Sequence, residues 1–461
     1  MRASPKANSG ITPPQVTVLL MTLGVCAFGF YSNRAFYHDD AYITLRYVGN
    51  FLDQQGIVWN PQERVEGYTN FLHLLLISFF GQMGVALPLA SQVVNALALL
   101  LLLLVLAIPG LNRLPSDPSF NHLPLIFTAG SFPIIIWTLG GLETVLFTMF
   151  LTVGICLVIE HLGSAPRRSL ALASLAFALA STTRIDGLLF FGLSFVWILY
   201  HSTAKKPVVI FALTFGAIFL SYFGWRLAYY NSLFPNTFYV KTGGFDLQKI
   251  RRGMKYVLGY AQAPPFLFPG TLLAVGLAIW RIRRPAYAII LTSLAGLVVL
   301  GIFSEYAPHF HRILGAAAPT ALLCAVGFDW LWQSPFLRKF GAQWVCVFLL
   351  VLGGATSAQE YFVRWAALPD LFYAFDDGIW QVGQTVAALP ADQPIYLTPR
   401  TADHPTLAFA WQTQGRPAPV TFDGRYIFPL AIQPSPQPEG YIVIEHEDFR
   451  TGLLLPEVFP G

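Results

Sequence analysis

Twelve apolar runs follow one another through the first 356 residues, at 13–30, 71–85, 92–110, 123–138, 143–160, 170–186, 187–203, 207–226, 264–280, 286–303, 313–332 and 341–356. A helix needs roughly 17–25 residues to cross the hydrocarbon of a bilayer, and most of these runs approach that length. Charge is too sparse for any other solvent. Only 11% of the 461 residues are charged and 55% are hydrophobic, against roughly 25% charged in water-soluble domains. Such a chain cannot cover its surface in water, so most of that surface faces lipid. Soluble enzymes and disordered, collagen-like or disulfide-rich secreted chains are excluded. The formal net charge of +4 gives no sign of a nucleic-acid partner.

The order of charges orients the runs. The first follows Arg2 and Lys6 and lacks a small-residue cleavage motif, so it reads as an anchored helix. Arg167/Arg168, Lys205/Lys206, Arg281/Arg283/Arg284 and Arg338/Lys339 mark cytoplasmic loops. Loops 31–70, 227–263 and 304–312 and the carboxyl-terminal tail then lie outside. Twelve spans would return the tail to the cytoplasm, so the expectation is about eleven. The suspect is 71–110, where Gly81-Gln82-Met83-Gly84 interrupts a run barely long enough to cross.

After residue 356 the composition changes. Residues 357–461 hold 12 of the 24 acids, 5 of the 28 cations and 13 of the 33 prolines. Short β-like runs, Pro394-Ile395-Tyr396-Leu397 and Tyr441-Ile442-Val443-Ile444, stand between turn signals. The expected architecture is an all-α polytopic membrane module over 1–356, bearing amphipathic helices on its outer surface, and a small extracytoplasmic α/β domain over 357–461. Cys26, Cys156, Cys324 and Cys346 all lie within apolar runs without paired spacing, as buried thiols do.

The acids before residue 357 are not spread evenly. Asp39, Asp40, Asp53, Glu63, Glu66, Glu143, Asp186, Asp246 and Glu305 fall in outer loops or at outer helix ends. A transporter would hold ionisable groups near the bilayer midplane. Acids gathered at one surface favour a reaction centre there. In the first outer loop, residues 40–56 form an amphipathic helix, with Ile43, Tyr47 and Phe51 on one face and Arg46, Asn50 and Asp53 on the other. Asp39 and Asp40 open it. Adjacent carboxylates at a membrane surface can act as a general base, hold a divalent cation, or simply cap the helix.

The run DDAYITLRYVGNFLDQQGIVWNPQERVEGYTNFL, residues 39–72, resembles the first outer loop of the GT-C superfamily of polyprenol-phosphate-dependent glycosyltransferases, most of all the terminal arabinofuranosyltransferases of the mycobacterial cell wall. Three further stretches resemble the same group: Trp137 to Thr144, Thr183 to Gly187, and Leu233 to Lys241. The resemblance implies transfer of a sugar, a pentofuranose in the nearest relatives, from a polyprenyl-phosphate donor to a hydroxyl of a cell-envelope glycan or lipid. The reaction would invert the anomeric centre on the outer face of the bacterial inner membrane. The resemblance puts the catalytic acid residue at Asp39, with Asp40 as the runner-up, or as a partner that orients the acceptor or binds a divalent cation. No cofactor is implied with certainty, and a divalent cation on Asp39 and Asp40 is an open alternative.

The leaving phosphate needs cationic donors, for which Arg184, Lys241, His311 and Arg312 are candidates. For Arg184 the competing reading is an ion pair with Asp186. Tyr42, Arg46, Glu66, Tyr68, Asn70 and Asn236 are the candidates for sugar or acceptor recognition, with Glu143 and Asp186 orienting them. Glu66 to Asn70 could equally be a helix start.

Lys249, Arg251, Arg252 and Lys255 suit a second surface helix over 245–260, facing lipid headgroups or solvent. No phosphate-binding glycine loop, dinucleotide fingerprint or serine nucleophile elbow appears in the sequence. The rival functions are a lipid-linked glycan flippase, which would require charges at mid-span, and a non-catalytic assembly protein, which would leave the clustered acids unexplained.

Overall fold

The computed structural model describes residues 37–107, 123–129, 131–162, 168–202, 205–236, 247–262, 275–303, 313–335, 377–414, 417–427 and 439–458, with a few isolated positions besides. The chain divides into two compact units. One comprises Met1–Arg34 and Arg64–Ala367, the other Ala35–Glu63 and Leu368–Gly461. The stretch 31–70 is thus shared: Ala35–Glu63 belongs with the carboxyl-terminal residues, and the residues from Arg64 on belong with the apolar helices.

The first unit is helical. Its described helices are α2 (Phe71–Gln82), α3 (Leu87–Ala107), α4 (Leu123–Ala129), α5 (Phe132–Leu139), α6 (Thr144–Leu162), α7 (Arg168–Thr183), α8 (Gly187–His201), α9 (Lys205–Tyr230), α10 (Leu247–Gln262), α11 (Pro285–Phe303) and α12 (Ala317–Gln333). Among the described residues, α3, α6, α9, α11 and the stretch Ile313–Gln333 are long and apolar enough to cross a membrane; α2, α7 and α8 are shorter apolar helices. The suspect stretch 71–110 is two helices. After α2 the chain turns through Gly84 at φ +85°, a conformation that ends helices because only glycine adopts it freely. The run 123–138 is also divided, with α5 restarting after Ser131 and a proline in its first turn.

Helices α6, α7, α8 and α9 meet around Phe147, Phe177, Phe190, Phe211 and Phe215, joined by Leu297 of α11. Ser174 of α7 donates to the carbonyl of Phe211 in α9 across 2.5 Å, a polar tie of the kind that substitutes for the missing hydrophobic drive between helices in lipid. Leu213 and Leu220 of α9 are 68% and 65% exposed. On an apolar helix of this length such exposure marks the lipid-facing side. By contrast α12 is buried for nearly all its length. Cys156 and Cys324 are buried free thiols; Cys26 and Cys346 lie outside the described residues.

In the second unit, α1 (Asp39–Leu52) joins α13 (Asp377–Ala388), β1 (Ile395–Thr398), α14 (Pro405–Gln414), β2 (Val420–Thr421), β3 (Gly440–Val443) and α15 (Phe449–Val458). The sheet has the order β2-β1-β3, with both outer strands parallel to β1. Parallel strands need helical crossovers, and α14 is one of them. Ile379, Val386, Leu397, Leu407, Trp411 and Ile444 form the core.

Beyond β1, the Thr398 hydroxyl donates to Asp448 Oδ2 at 2.5 Å and accepts from the Gly424 backbone N–H at 2.9 Å. Asp448 Oδ1 accepts from the Thr451 N–H. A Cβ on Gly424 would collide with the Thr451 hydroxyl and the Asp448 carboxylate, so this knot needs glycine. Helix α1 is tied to α14 where Gln412 Nε2 donates to Asn50 Oδ1 at 2.6 Å.

Candidate functional site

The candidate residues fall into two groups, one in each unit. In the second unit, α1 starts at Asp39 and its N-cap is His38, whose Nδ1 accepts from the Asp40 backbone N–H at 3.1 Å. Neither aspartate is used up as the cap, the competing reading of the sequence. Both sit in the first turn, where the unpaired N–H groups of the helix favour negative charge. The same His38 nitrogen lies 2.9 Å from Asp39 Oδ1. Burial pushes the Asp39 carboxyl up, but the His38 contact, the Asp40 N–H and the charge of His404 together bring it below the ordinary aspartate range. Its side chain keeps 35% exposure. Asp39 is therefore a partly exposed carboxyl, held below the ordinary aspartate range, beside a histidine that sequence patterning missed. The one hint was its position directly before the pair, since histidine is not among the favoured caps.

The other candidates on this helix, Tyr42 and Arg46, make contacts within the second unit. Tyr42 is 3% exposed, its ring 5.1 Å from Trp380 and 5.6 Å from Phe409. Arg46 donates to the Trp59 carbonyl and to Asn60 Oδ1, both at 3.0 Å, and lies 4.3 Å over the Trp59 ring. It folds the 57–60 turn back on α1, which Asn50 reinforces by donating to the Val58 and Trp59 carbonyls.

In the first unit Glu66, Glu143 and Asp186 are paired with arginines. Glu66 is 3% exposed, and Arg226 Nε donates to its Oε1 at 3.0 Å while Nη2 lies 2.5 Å from Oε2. Arg226 also donates to the carbonyls of Ser232 and Leu233, and the Asn236 N–H donates to the Glu66 carbonyl. This clamp sets the turn that leads to Asn236. The Tyr230 hydroxyl donates to that of Tyr68 at 3.1 Å. Asn70 Nδ2 donates to Glu143 Oε2, and Arg184 joins Glu143 Oε1 to Asp186 Oδ2, each contact 3.0 Å. The ion-pair reading of Arg184 is the observed one, with Glu143 as a second partner, so its guanidinium is engaged by carboxylates.

Arg226, absent from the sequence-based candidates, is the lone cation at the outer end of its apolar run. Lys241, His311 and Arg312 lie outside the described residues. Among the described residues no three His, Cys, Asp or Glu side chains gather as metal ligands.

The comparisons with known proteins agree with this architecture. No family model matches the chain. It is 29% identical over 286 residues to a terminal β-(1→2)-arabinofuranosyltransferase of Mycobacterium tuberculosis, a match covering 58% of this chain and 45% of that enzyme. The chain thus spans less than half the length of this curated relative.

Among solved structures, ArnT from Cupriavidus metallidurans bound to undecaprenyl phosphate superposes with TM-score 0.60 at 14% identity, covering 90% of this chain and 86% of that one. The archaeal oligosaccharyltransferase AglB from Archaeoglobus fulgidus, in complex with an inhibitory peptide and a dolichol-phosphate, gives 0.54 at 10% identity, covering 86% and 64%. The fold is shared with ArnT and AglB. The chain is an integral membrane protein similar in sequence to an arabinofuranosyltransferase.

Proposed function

We propose that the protein is an inverting glycosyltransferase that takes a sugar from a polyprenyl-phosphate donor and adds it to a hydroxyl of a cell-envelope glycan or lipid on the extracytoplasmic face. The single observation that carries this reading is the placement of Asp39: a partly exposed carboxyl in the first turn of α1, 2.9 Å from His38 Nδ1. Two of the matched structures hold a polyprenyl phosphate, which supports the same donor class here. The curated relative supports a pentofuranose as the sugar.

In this mechanism the acceptor hydroxyl gives its proton to Asp39 as its oxygen bonds to the anomeric carbon. The bond from that carbon to the phosphate oxygen breaks on the opposite face, and the electron pair leaves with the lipid phosphate. Asp40, one residue along the same turn, helps to orient the acceptor. Lys241, His311 and Arg312 neutralise the leaving phosphate. Arg184 acts through Glu143 and Asp186, keeping the segments around them in place. The outer location follows from the cationic clusters at the opposite helix ends, such as Arg281, Arg283 and Arg284 before α11.

The test is release of polyprenyl phosphate by the purified full-length protein from synthetic polyprenyl-phosphoryl sugars in the presence of an oligosaccharide acceptor. A pentofuranosyl donor is expected to turn over faster than a hexosyl one. Absence of turnover with every donor, in protein that is folded, would overturn the reading.

A further inference from the structure

Helix α10 carries four cations, Lys249, Arg251, Arg252 and Lys255, and no acid. Their setting separates them into two faces. Gly253 and Tyr256 are buried, and Tyr256 packs with Ile313, Val257 and Tyr260. The seat is close: a Cβ on Gly253 would stand 1.9 Å from the carbonyl oxygen of Ile302, and one on Gly301 would stand 2.9 Å from Val257. Only glycine allows α10 to lie directly on α11 there. Ile302 is in the last turn of α11, one of the helices long and apolar enough to span the bilayer. The helix is therefore pinned at the depth where that span ends.

Its opposite half is exposed. At 100° per residue, Leu247, Met254 and Leu258 fall within a narrow stripe, and their exposures are 76%, 51% and 56%. Arg251, Lys255 and Arg252 form an exposed row directly beside that stripe. In water, three large apolar side chains in line would be a cost. At a bilayer surface they enter the acyl boundary while the adjoining cations meet the phosphates. A solvated charged face explains the arginines but not the stripe.

We propose that α10 is an interfacial anchor whose exposed half docks on the anionic phospholipid headgroups of the surrounding bilayer. The argument rests on the pairing of an apolar stripe with an unopposed cationic row at the end of a span, independent of which sugar the protein transfers.

The experiment is thermal unfolding of the full-length, detergent-solubilised protein titrated with dioctanoyl-phosphatidylglycerol or dioctanoyl-phosphatidylcholine. The anionic lipid is expected to stabilise at lower concentration than the zwitterionic one. Each interfacial cation contributes about fivefold to such binding. The R251Q/R252Q/K255Q variant should thus need on the order of 100-fold more phosphatidylglycerol and should respond to both lipids alike. Should that variant fail to fold, the wild-type protein still decides: high salt must abolish the preference for phosphatidylglycerol. An unchanged preference in the triple variant, persistence in high salt, or an equal shift with inorganic phosphate alone would each overturn the proposal.

Discussion

The acids of one short stretch, residues 39–66, meet opposite fates in the two units. Asp39 keeps a third of its side chain exposed and lies 2.9 Å from His38 Nδ1. Glu66, only 27 positions on, is buried and clamped by Arg226. The physics of burial explains the difference. A carboxylate removed from solvent needs a cation and further hydrogen bonds to offset its lost hydration, and the burial that enforces this pairing keeps it out of reach of solvent. Glu143 and Asp186 follow Glu66, since both are held by Arg184. A carboxylate that must accept a proton during turnover has to stay reachable, and of these acids Asp39 meets that demand.

That contrast can be broken first at Arg226. Arg226→Met strands Glu66 in the interior and frees the carbonyls of Ser232 and Leu233, and unfolding in detergent should show a loss of about 3–5 kcal/mol. Adding Glu66→Gln should restore part of it; a stable single variant would refute the clamp. Asp448→Ala leaves the buried Thr398 hydroxyl and Thr451 N–H without their acceptor, and a smaller loss of about 1–3 kcal/mol is expected in the same measurement. Gln412→Ala removes the tie between α14 and α1, at a cost of about 0.5–1.5 kcal/mol. Faster amide exchange should then appear in α1 before the rest of its unit.

The pH dependence sharpens the comparison without any loss of fold. A carboxyl whose folded value is depressed contributes stability above its ordinary value and loses it only as pH falls through the depressed one. The Asp39 carboxyl is therefore expected to take up its proton only below the ordinary aspartate figure of 3.8. His38→Ala removes its main partner, so the acid limb of the transfer profile attributable to Asp39 should move to higher pH. An unmoved limb would show that His38 does not hold the carboxylate.

What the sequence disclosed is what repeats locally. The apolar runs mark the long helices, the spacing of Ile43, Tyr47 and Phe51 marks α1, and the turn signals around Ile395 and Ile442 bracket β1 and β3. The Gly81 to Gly84 break falls where α2 ends. What the sequence hid is what depends on distant partners. Glu66 and Arg226 are 160 residues apart, and Arg184 finds Glu143 across 41. No periodicity records such pairs, so Glu66 and Arg184 look as available for ligands as Asp39 does. The division of the first outer loop between the two units is hidden for the same reason, because Asn50 meets its partner Gln412 across 362 residues.

The account stands or falls on Asp39 as the group that takes the acceptor proton. The most direct measurement is the rate of polyprenyl phosphate release by the Asp39→Asn protein beside the wild type, with thermal unfolding of both. A drop of roughly 10²–10⁴-fold in turnover with an unchanged unfolding midpoint is the expected result. Turnover equal to that of the wild type in a folded Asp39→Asn protein would contradict it.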